Sequence, residues 1–136
     1  MDALRPVSNS HLDHLEAIAR EDVEGIRKAE QQYGSSWKRR GGVGAYMMLC
    51  RKFDRLEQQL SRPMIKPSAA LKPAAEVLKD EPDAIVAPYD IFRHAAADTR
   101  SEGIIDDIRD LRRYLMLVEA ELRAQGISHG KHRDNA

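Results

Sequence analysis

Apolar residues recur every three to four positions in three stretches of the chain, the spacing of one face of an amphipathic helix. The first stretch covers 11–32 and meets Gly34, a residue that commonly ends helices. The second covers about 43–60, and the third runs from about 88 or 91 to 124, with a predicted break near 99–103. We find no convincing strand pattern. The sequence therefore predicts an all-α protein.

The segment 61–90 interrupts this pattern and carries five of the six prolines. It predicts a long excursion with one short helix around 74–78, and such excursions are usually functional or mobile. The ending, 124–136, lacks periodicity and is predicted to be a disordered tail. A chain of 136 residues suits one helical core. We therefore predict one domain over 1–123.

Composition narrows the class of protein. Lys plus Arg and Asp plus Glu number 22 each, so the formal net charge is zero, which argues against non-specific nucleic-acid binding. A lone Cys50 excludes an internal disulfide, and neither a signal peptide nor a long apolar run is evident. We expect a soluble cytoplasmic protein, in the host cytoplasm if phage-encoded, that binds no membrane. The low aromatic content, 5%, suggests self-association.

Two acidic pairs carry the candidate chemistry: Asp54 with Glu57 on the second predicted helix, and Asp107 with Asp110 on the last. Residues three apart on a helix point the same way, so each pair can present two carboxylates to one point. Hard oxygen ligands suit Mg²⁺ or Mn²⁺ that also holds substrate phosphates. The alternative is that both pairs are solvated or bind nearby arginines.

Helical phase places these acids at the edge of the apolar faces. Asp107 lies at the margin of the last helix's stripe, with Asp110 and Tyr114 further round the same flank, whereas Asp106 is expected to face water. Asp22 falls near the middle of the first helix's apolar face, where a carboxylate is costly unless it is paired or metal-bound. Asp22 is thus a candidate ligand or base.

The segment SSWKRRGG, between the first two helices, supplies cations and a ring. Trp37 is either a hydrophobic plug over the turn or a plane for stacking a base. Lys38 and Arg39 are either solvated or bind an anion, although the spacing matches no P-loop. Zinc-ligand spacing is absent, and His94, His129 and His132 are interpreted as surface residues.

Three segments resemble the MazG-like all-α nucleotide pyrophosphohydrolases, in particular their small phage-type branch. These segments are YGSSW at 33–37, RGGVGAYMMLCRKFDRLE at 40–57 and DDIRDLRRYLML at 106–117. The family signature is an E-E-x-x-E helix followed by an E-x-x-D helix. This chain departs from it with Asp at 54 and 107, with Phe53 in place of a Glu, and with a longer gap between the halves.

The resemblance implies a four-helix-type core, completed as a homodimer or homotetramer, that hydrolyses the α–β linkage of a nucleoside triphosphate. It implies Mg²⁺ or Mn²⁺ on Asp54, Glu57, Asp107 and Asp110, with Glu57, Asp107 and Asp110 as the catalytic acids. The substrate is expected to be a purine nucleotide, most specifically dGTP or GTP. Alternatives are the same fold acting on dCTP, dUTP or a modified nucleotide, and a non-enzymatic helical interaction protein. The candidate substrate-binding residues are Trp37, Lys38, Arg39, Arg51, Lys52, Asp22 and Tyr114.

Overall fold

The computed structural model describes residues 9–66 and 69–127, most of which are helical. The elements are α1 (Leu15–Tyr33), α2 (Gly41–Leu60), β1 (Met64–Ile65), α3 (Ala74–Asp80), β2 (Ile85–Val86), α4 (Ile91–Ala97) and α5 (Ile104–Ala124). Short 3₁₀ turns lie at Ser10–His14, Ser36–Lys38 and Pro82–Ala84. The chain forms two compact units, one ending at Arg39 and one beginning at Arg40.

The first unit contains α1, which ends where the sequence predicts. Gly34 adopts a φ of +62°, a conformation that glycine takes without a Cβ clash, and its N–H donates to the Glu30 carbonyl. Within α1 the buried residue is Asp22, at 1% exposure. Apolar Leu15 and Val23 are exposed at 54% and 39%. The predicted helix is confirmed, but its apolar stripe is largely exposed.

The second unit is built on α2 and α5, which pack along each other. Leu56, Leu60 and Ile104 form its buried centre. Half-buried residues from α4 and α5 surround that centre: Ile91, Ala95, Ile108 and Leu111. Burying aliphatic side chains in this way is the main stabilising term of a small helical core.

The predicted break at 99–103 is confirmed by the separation of α4 from α5. Asp98 ends α4 and accepts a hydrogen bond from the Ile104 N–H at 2.7 Å, which caps the first turn of α5. Its carboxylate also binds the Arg100 guanidinium at 3.0 Å through two nitrogens. These contacts lower the pKa of Asp98 to about 2. The helix that carries Asp107 and Asp110 therefore has a fixed start.

The absence of strands was a wrong prediction for segment 61–90. β1 and β2 pair antiparallel, Met64 opposite Val86 and Ile65 opposite Ile85. A second small core of Ala69, Val77 and Ala84 lies beside them. Two-residue strands are too short to show apolar–polar alternation, which explains the error. The predicted short helix is confirmed as α3.

Three burial predictions were also wrong. His94 is 1% exposed, because its ring nitrogens lie 2.9 Å from the carbonyl oxygens of Asp90 and Arg62. Phe53 and Leu115 continue the three-to-four spacing of apolar residues, which predicts that they lie on buried helix faces, yet they are exposed at 55% and 51%. Residues 128–136, with His129, His132 and most of the predicted tail, lie outside the described residues. Among the helices that are described, none combines the length and apolarity needed to cross a membrane.

Candidate functional site

The first α5 acid, Asp107, is buried beside a cation from α2. Its exposure is 1%, and Nη2 of Arg55 lies 3.3 Å from its Oδ1. That distance allows an ion pair, but the guanidinium is not aligned to donate a hydrogen bond. No described residue donates a hydrogen bond to either carboxylate oxygen. A buried carboxylate in this state is costly, and it retains free acceptor capacity for a further cation.

The second α5 acid, Asp110, is half-buried among cations. Nζ of Lys52 lies 3.4 Å from its Oδ2, and Nε of Arg109 lies 3.7 Å from its Oδ1. The same Nζ stands 5.9 Å from the centre of the Tyr114 ring, at the outer limit of a cation–π contact. Burial, and then the charge of Asp110, raise the pKa of the Tyr114 hydroxyl, against a smaller lowering by Arg51. Tyr114 therefore stays protonated at neutral pH.

The α2 acids are in a different state. Asp54 and Glu57 are exposed and, with Gln58 and Ser61, line an open cleft of about 310 Å³, which we call the acidic cleft. Neither carboxylate forms an ion pair or hydrogen bond with a described residue. Both lie in the last two turns of α2, where the helix dipole is negative and the last turn has no basic residue. The local field therefore favours a bound cation.

The structure brings α5 acids together with α2 cations rather than with α2 acids. Lys52 and Arg55 face Asp110 and Asp107, while no α5 residue lines the acidic cleft. Within residues 9–66 and 69–127, no three His, Cys, Asp or Glu side chains are grouped to hold one metal. The nest of four carboxylates remains a prediction. The carboxylates themselves suit a divalent ion. Those of the cleft have no ion-pair partner among the described residues, and the Asp107 carboxylate accepts no hydrogen bond from them.

Asp106 does not simply face water, as its helical phase predicted. One of its oxygens accepts a hydrogen bond from the Gly103 N–H at 2.8 Å, and the other pairs with Arg109 at 3.1 Å. Its side chain is 31% exposed. Helical phase describes only the interior of a helix, whereas Asp106 lies in the first turn, where free N–H groups attract side chains. Asp106 is thus a capping residue.

In the first unit, Trp37 has a structural contact. Its Nε1 donates to Glu30 at 3.1 Å, and the Ser35 hydroxyl donates to the other oxygen of the same carboxylate at 2.8 Å. These bonds tie the turn after α1 back to the helix. The ring remains half-buried, and Lys38 and Arg39 are exposed. The hydrogen bond gives Trp37 a structural contact, while its roles as plug or stacking plane and the anion-binding role of the two cations stay predictions.

Sequence reasoning missed three residues of the second unit. One of the nearby arginines considered as partners of the α2 acids is Arg55, which follows Asp54 in the sequence but pairs with Asp107. The available signal was its position next to Leu56, on the side of α2 that packs against α5. Gln58 and Ser61 line the acidic cleft. Their one signal is spacing from Asp54, four and seven residues on, which repeats one helix face.

Comparison of the chain with models of known protein families, with curated proteins and with solved structures gives no match. The likeness to MazG-like enzymes is therefore carried by the quoted segments alone.

Proposed function

We propose that the protein is a metal-dependent nucleoside triphosphate pyrophosphohydrolase that converts a purine nucleotide to the monophosphate and pyrophosphate. One observation carries this proposal. Asp54 and Glu57 stand exposed and unpaired on one cleft, at the negative end of α2. Two carboxylates one turn apart near the negative end of a helix repel each other slightly even in water, a cation there relieves that repulsion, and Mg²⁺ or Mn²⁺ prefers such oxygen ligands.

In this proposal Asp54 and Glu57 are the ligands at the acidic cleft. Asp107 and Asp110 are assigned as ligands by the likeness to MazG-like enzymes, although within one chain they face Arg55 and Lys52 rather than the cleft. A divalent ion bound there would neutralise the charge of the phosphates and lower the pKa of a water molecule bound to it. Lys52 and Arg51 are the proposed phosphate contacts in this unit. Because Lys52 already lies 3.4 Å from Asp110, its charge is held next to the acids. The likeness to MazG-like enzymes is the reason for proposing cleavage at the α–β linkage.

Self-association is part of the proposal. Val43, Tyr46 and Met47 are 78%, 63% and 57% exposed on α2. At about 100° per residue, these positions share one face with Asp54 and Glu57. A second copy that covers the apolar residues would reach the edge of the acidic cleft. This favours a homodimer or homotetramer with sites near subunit interfaces.

The proposed substrate is dGTP or GTP, by likeness to phage (d)GTP diphosphohydrolases of the MazZ type, whose product dGMP feeds 2-aminoadenine DNA synthesis. Guanine has a 2-amino group and an N1–H, and both donate hydrogen bonds. Adenine has no 2-amino group, and its N1 accepts a hydrogen bond instead of donating one. A pocket built to accept those protons leaves its own groups unpaired with adenine, which discriminates strongly. We place this activity in the cytoplasm, where nucleotide pools are found, or in the host cytoplasm for a phage enzyme.

The test is a panel of all canonical NTPs and dNTPs with Mg²⁺ or Mn²⁺, with products separated by chromatography. We expect pyrophosphate and the monophosphate, with dGTP or GTP cleaved at least tenfold faster than dATP. Equal rates on both purines, or a preference for dCTP or dUTP, would remove the guanine assignment and leave the reaction class. Inorganic phosphate and a diphosphate as first products would instead indicate a phosphatase.

A thermal-shift scan separates the enzyme from a helical interaction protein. An enzyme of this kind should gain stability from nucleotide only when a divalent ion is present, because ligands that bind the folded state raise the melting temperature. An interaction protein should show no such metal-dependent gain. Turnover in the absence of any divalent ion would contradict the metal dependence.

A further inference from the structure

Tyr89 has a backbone conformation that side chains rarely adopt. Its φ is +65°, and it is the one residue other than glycine with positive φ in the described ranges. The N–H of Asp90 donates to the Ala87 carbonyl at 3.3 Å, so Ala87–Asp90 is a β-turn with Pro88 second and Tyr89 third. A turn with proline second and positive φ third normally has glycine there, because a Cβ is strained. The chain therefore keeps a tyrosine where glycine would be more stable.

The turn is bound to the end of α2, beside the acidic cleft. The backbone N–H of Tyr89 donates to the Leu60 carbonyl at 2.6 Å. Leu60 is followed by Ser61, which lines the cleft with Asp54, Glu57 and Gln58. This hydrogen bond holds Tyr89 against Leu60, the residue that precedes Ser61 at the edge of the cleft. Tyr89 is 61% exposed and belongs to neither hydrophobic core.

A strained, exposed aromatic residue fixed next to a polar cleft indicates a ligand contact, since strain that persists without a packing role is typical of functional sites. We propose that the Tyr89 ring stacks on the nucleobase of the substrate whose phosphates are held from the acidic cleft. This inference rests on the proposed function and adds a base-binding residue to it. Aromatic stacking needs only a planar base, so it supplies affinity for the base beyond that for the phosphates.

Three substitutions at the same position separate the ring from the strain. Tyr89→Ala removes the ring and keeps a Cβ at positive φ. Tyr89→Gly removes both, and Tyr89→Phe keeps the ring. Phe92→Ala is the matched control, because Phe92 is an exposed aromatic residue, at 86%, three positions further along on α4.

The measurements are KM and kcat for dGTP, calorimetric Kd for the α,β-methylene analogue of dGTP and for tripolyphosphate, and the melting temperature. We expect Tyr89→Ala and Tyr89→Gly to raise KM and the analogue's Kd about tenfold. Binding of tripolyphosphate should not change, Tyr89→Phe should restore the wild-type KM, and Phe92→Ala should match wild type. Tyr89→Gly should melt a few degrees above Tyr89→Ala as the strain is released.

Wild-type KM and Kd in Tyr89→Ala, with the wild-type protein active, would overturn the stacking role alone. An equal loss of tripolyphosphate binding would overturn it too, by showing that the turn supports the phosphate site. Equal melting of the Gly and Ala variants would remove the strain on which the inference stands. A wild-type protein that neither cleaves nor binds any nucleotide would overturn the proposed function and this inference with it.

Discussion

The two acidic pairs have the same spacing in the sequence and opposite surroundings in the fold. Asp107 is buried next to Arg55, and Asp110 is half-buried next to Lys52. Asp54 and Glu57 are exposed, without partners, on an open cleft. The difference arises because α2 packs against α5 through its cations and leucines, which leaves its acids on another face. Equal spacing therefore does not mean equal surroundings: the α5 acids lie beside cations of the same chain, and the α2 acids have no ion-pair partner among the described residues.

The largest expected effect comes from the α2 pair. Asp54→Asn or Glu57→Gln should lower turnover at least 100-fold, the scale of losing a principal electrostatic contact to the transition state. The melting temperature should stay level or rise slightly, because each change removes a negative charge near the negative end of α2. Steady-state kinetics with dGTP, together with thermal unfolding, measures both quantities.

Glu119→Gln is the control for charge loss on an exposed helix face. Glu119 is exposed on α5 and pairs with Arg123 one turn on. Its replacement should change neither rate nor melting temperature, since exposed pairs contribute little. Near-wild-type turnover in both α2 variants would contradict the proposed difference between the two acidic pairs, because the unpaired α2 acids would then have no catalytic role.

The next effect concerns Arg55 and Asp107. Arg55→Gln should lower the free energy of unfolding by roughly 1–2 kcal/mol, since it leaves Asp107 buried without a cation. The value lies below the usual cost of breaking a fully buried pair, because Arg55 is 41% exposed and water already screens its charge. The double variant Arg55→Gln with Asp107→Asn should recover most of that loss. Urea unfolding of the single and double variants measures the coupling.

Asp107→Asn alone should lower turnover, by less than the α2 variants do, while the circular dichroism spectrum is preserved, since volume is kept and charge is lost. Lys52→Gln is the stability control, because Asp110 is 34% exposed and solvent replaces part of the lost attraction. A stability loss in Lys52→Gln as large as that in Arg55→Gln would mean that the two α5 acids are equally compensated.

A comparable effect on stability is expected when the pH is lowered, because of Asp98 at the start of α5. The pKa of Asp98 in the folded protein, about 2, lies below its ordinary value of 3.8 because of Arg100 and the N–H of Ile104. Its stabilisation is therefore complete above about pH 4 and is lost as the pH falls toward 2. Asp98→Asn should remove about 1–2 kcal/mol at pH 7 and flatten the acid limb of the stability curve. An unchanged acid limb would contradict the capping role.

The helices were predictable from sequence because their apolar periodicity is long and regular, as in the segment that became α5. The break that precedes α5 was also predictable from the sequence, because Gly103 interrupts the helical pattern. The ion pairing was not predictable, since one sequence does not state which face of α2 meets α5. Arg55 is next to Asp54 in the sequence, but in the folded protein it pairs with Asp107. His94 was misplaced for a related reason: its partners are backbone carbonyls, which no side-chain pattern reveals.

The smallest expected effect separates two neighbouring residues of α5. Asp106→Asn should reduce the free energy of unfolding by less than about 1 kcal/mol, since an amide oxygen can still accept the Gly103 N–H bond while the pairing with Arg109 is lost. Turnover should stay within twofold of wild type, because the Asp106 carboxylate is occupied in capping the helix. Kinetics on Asp106→Asn and Asp107→Asn, prepared side by side, tests this directly. A loss at Asp106 equal to that at Asp107 would mean that the whole first turn of α5, rather than one buried carboxylate, forms the site.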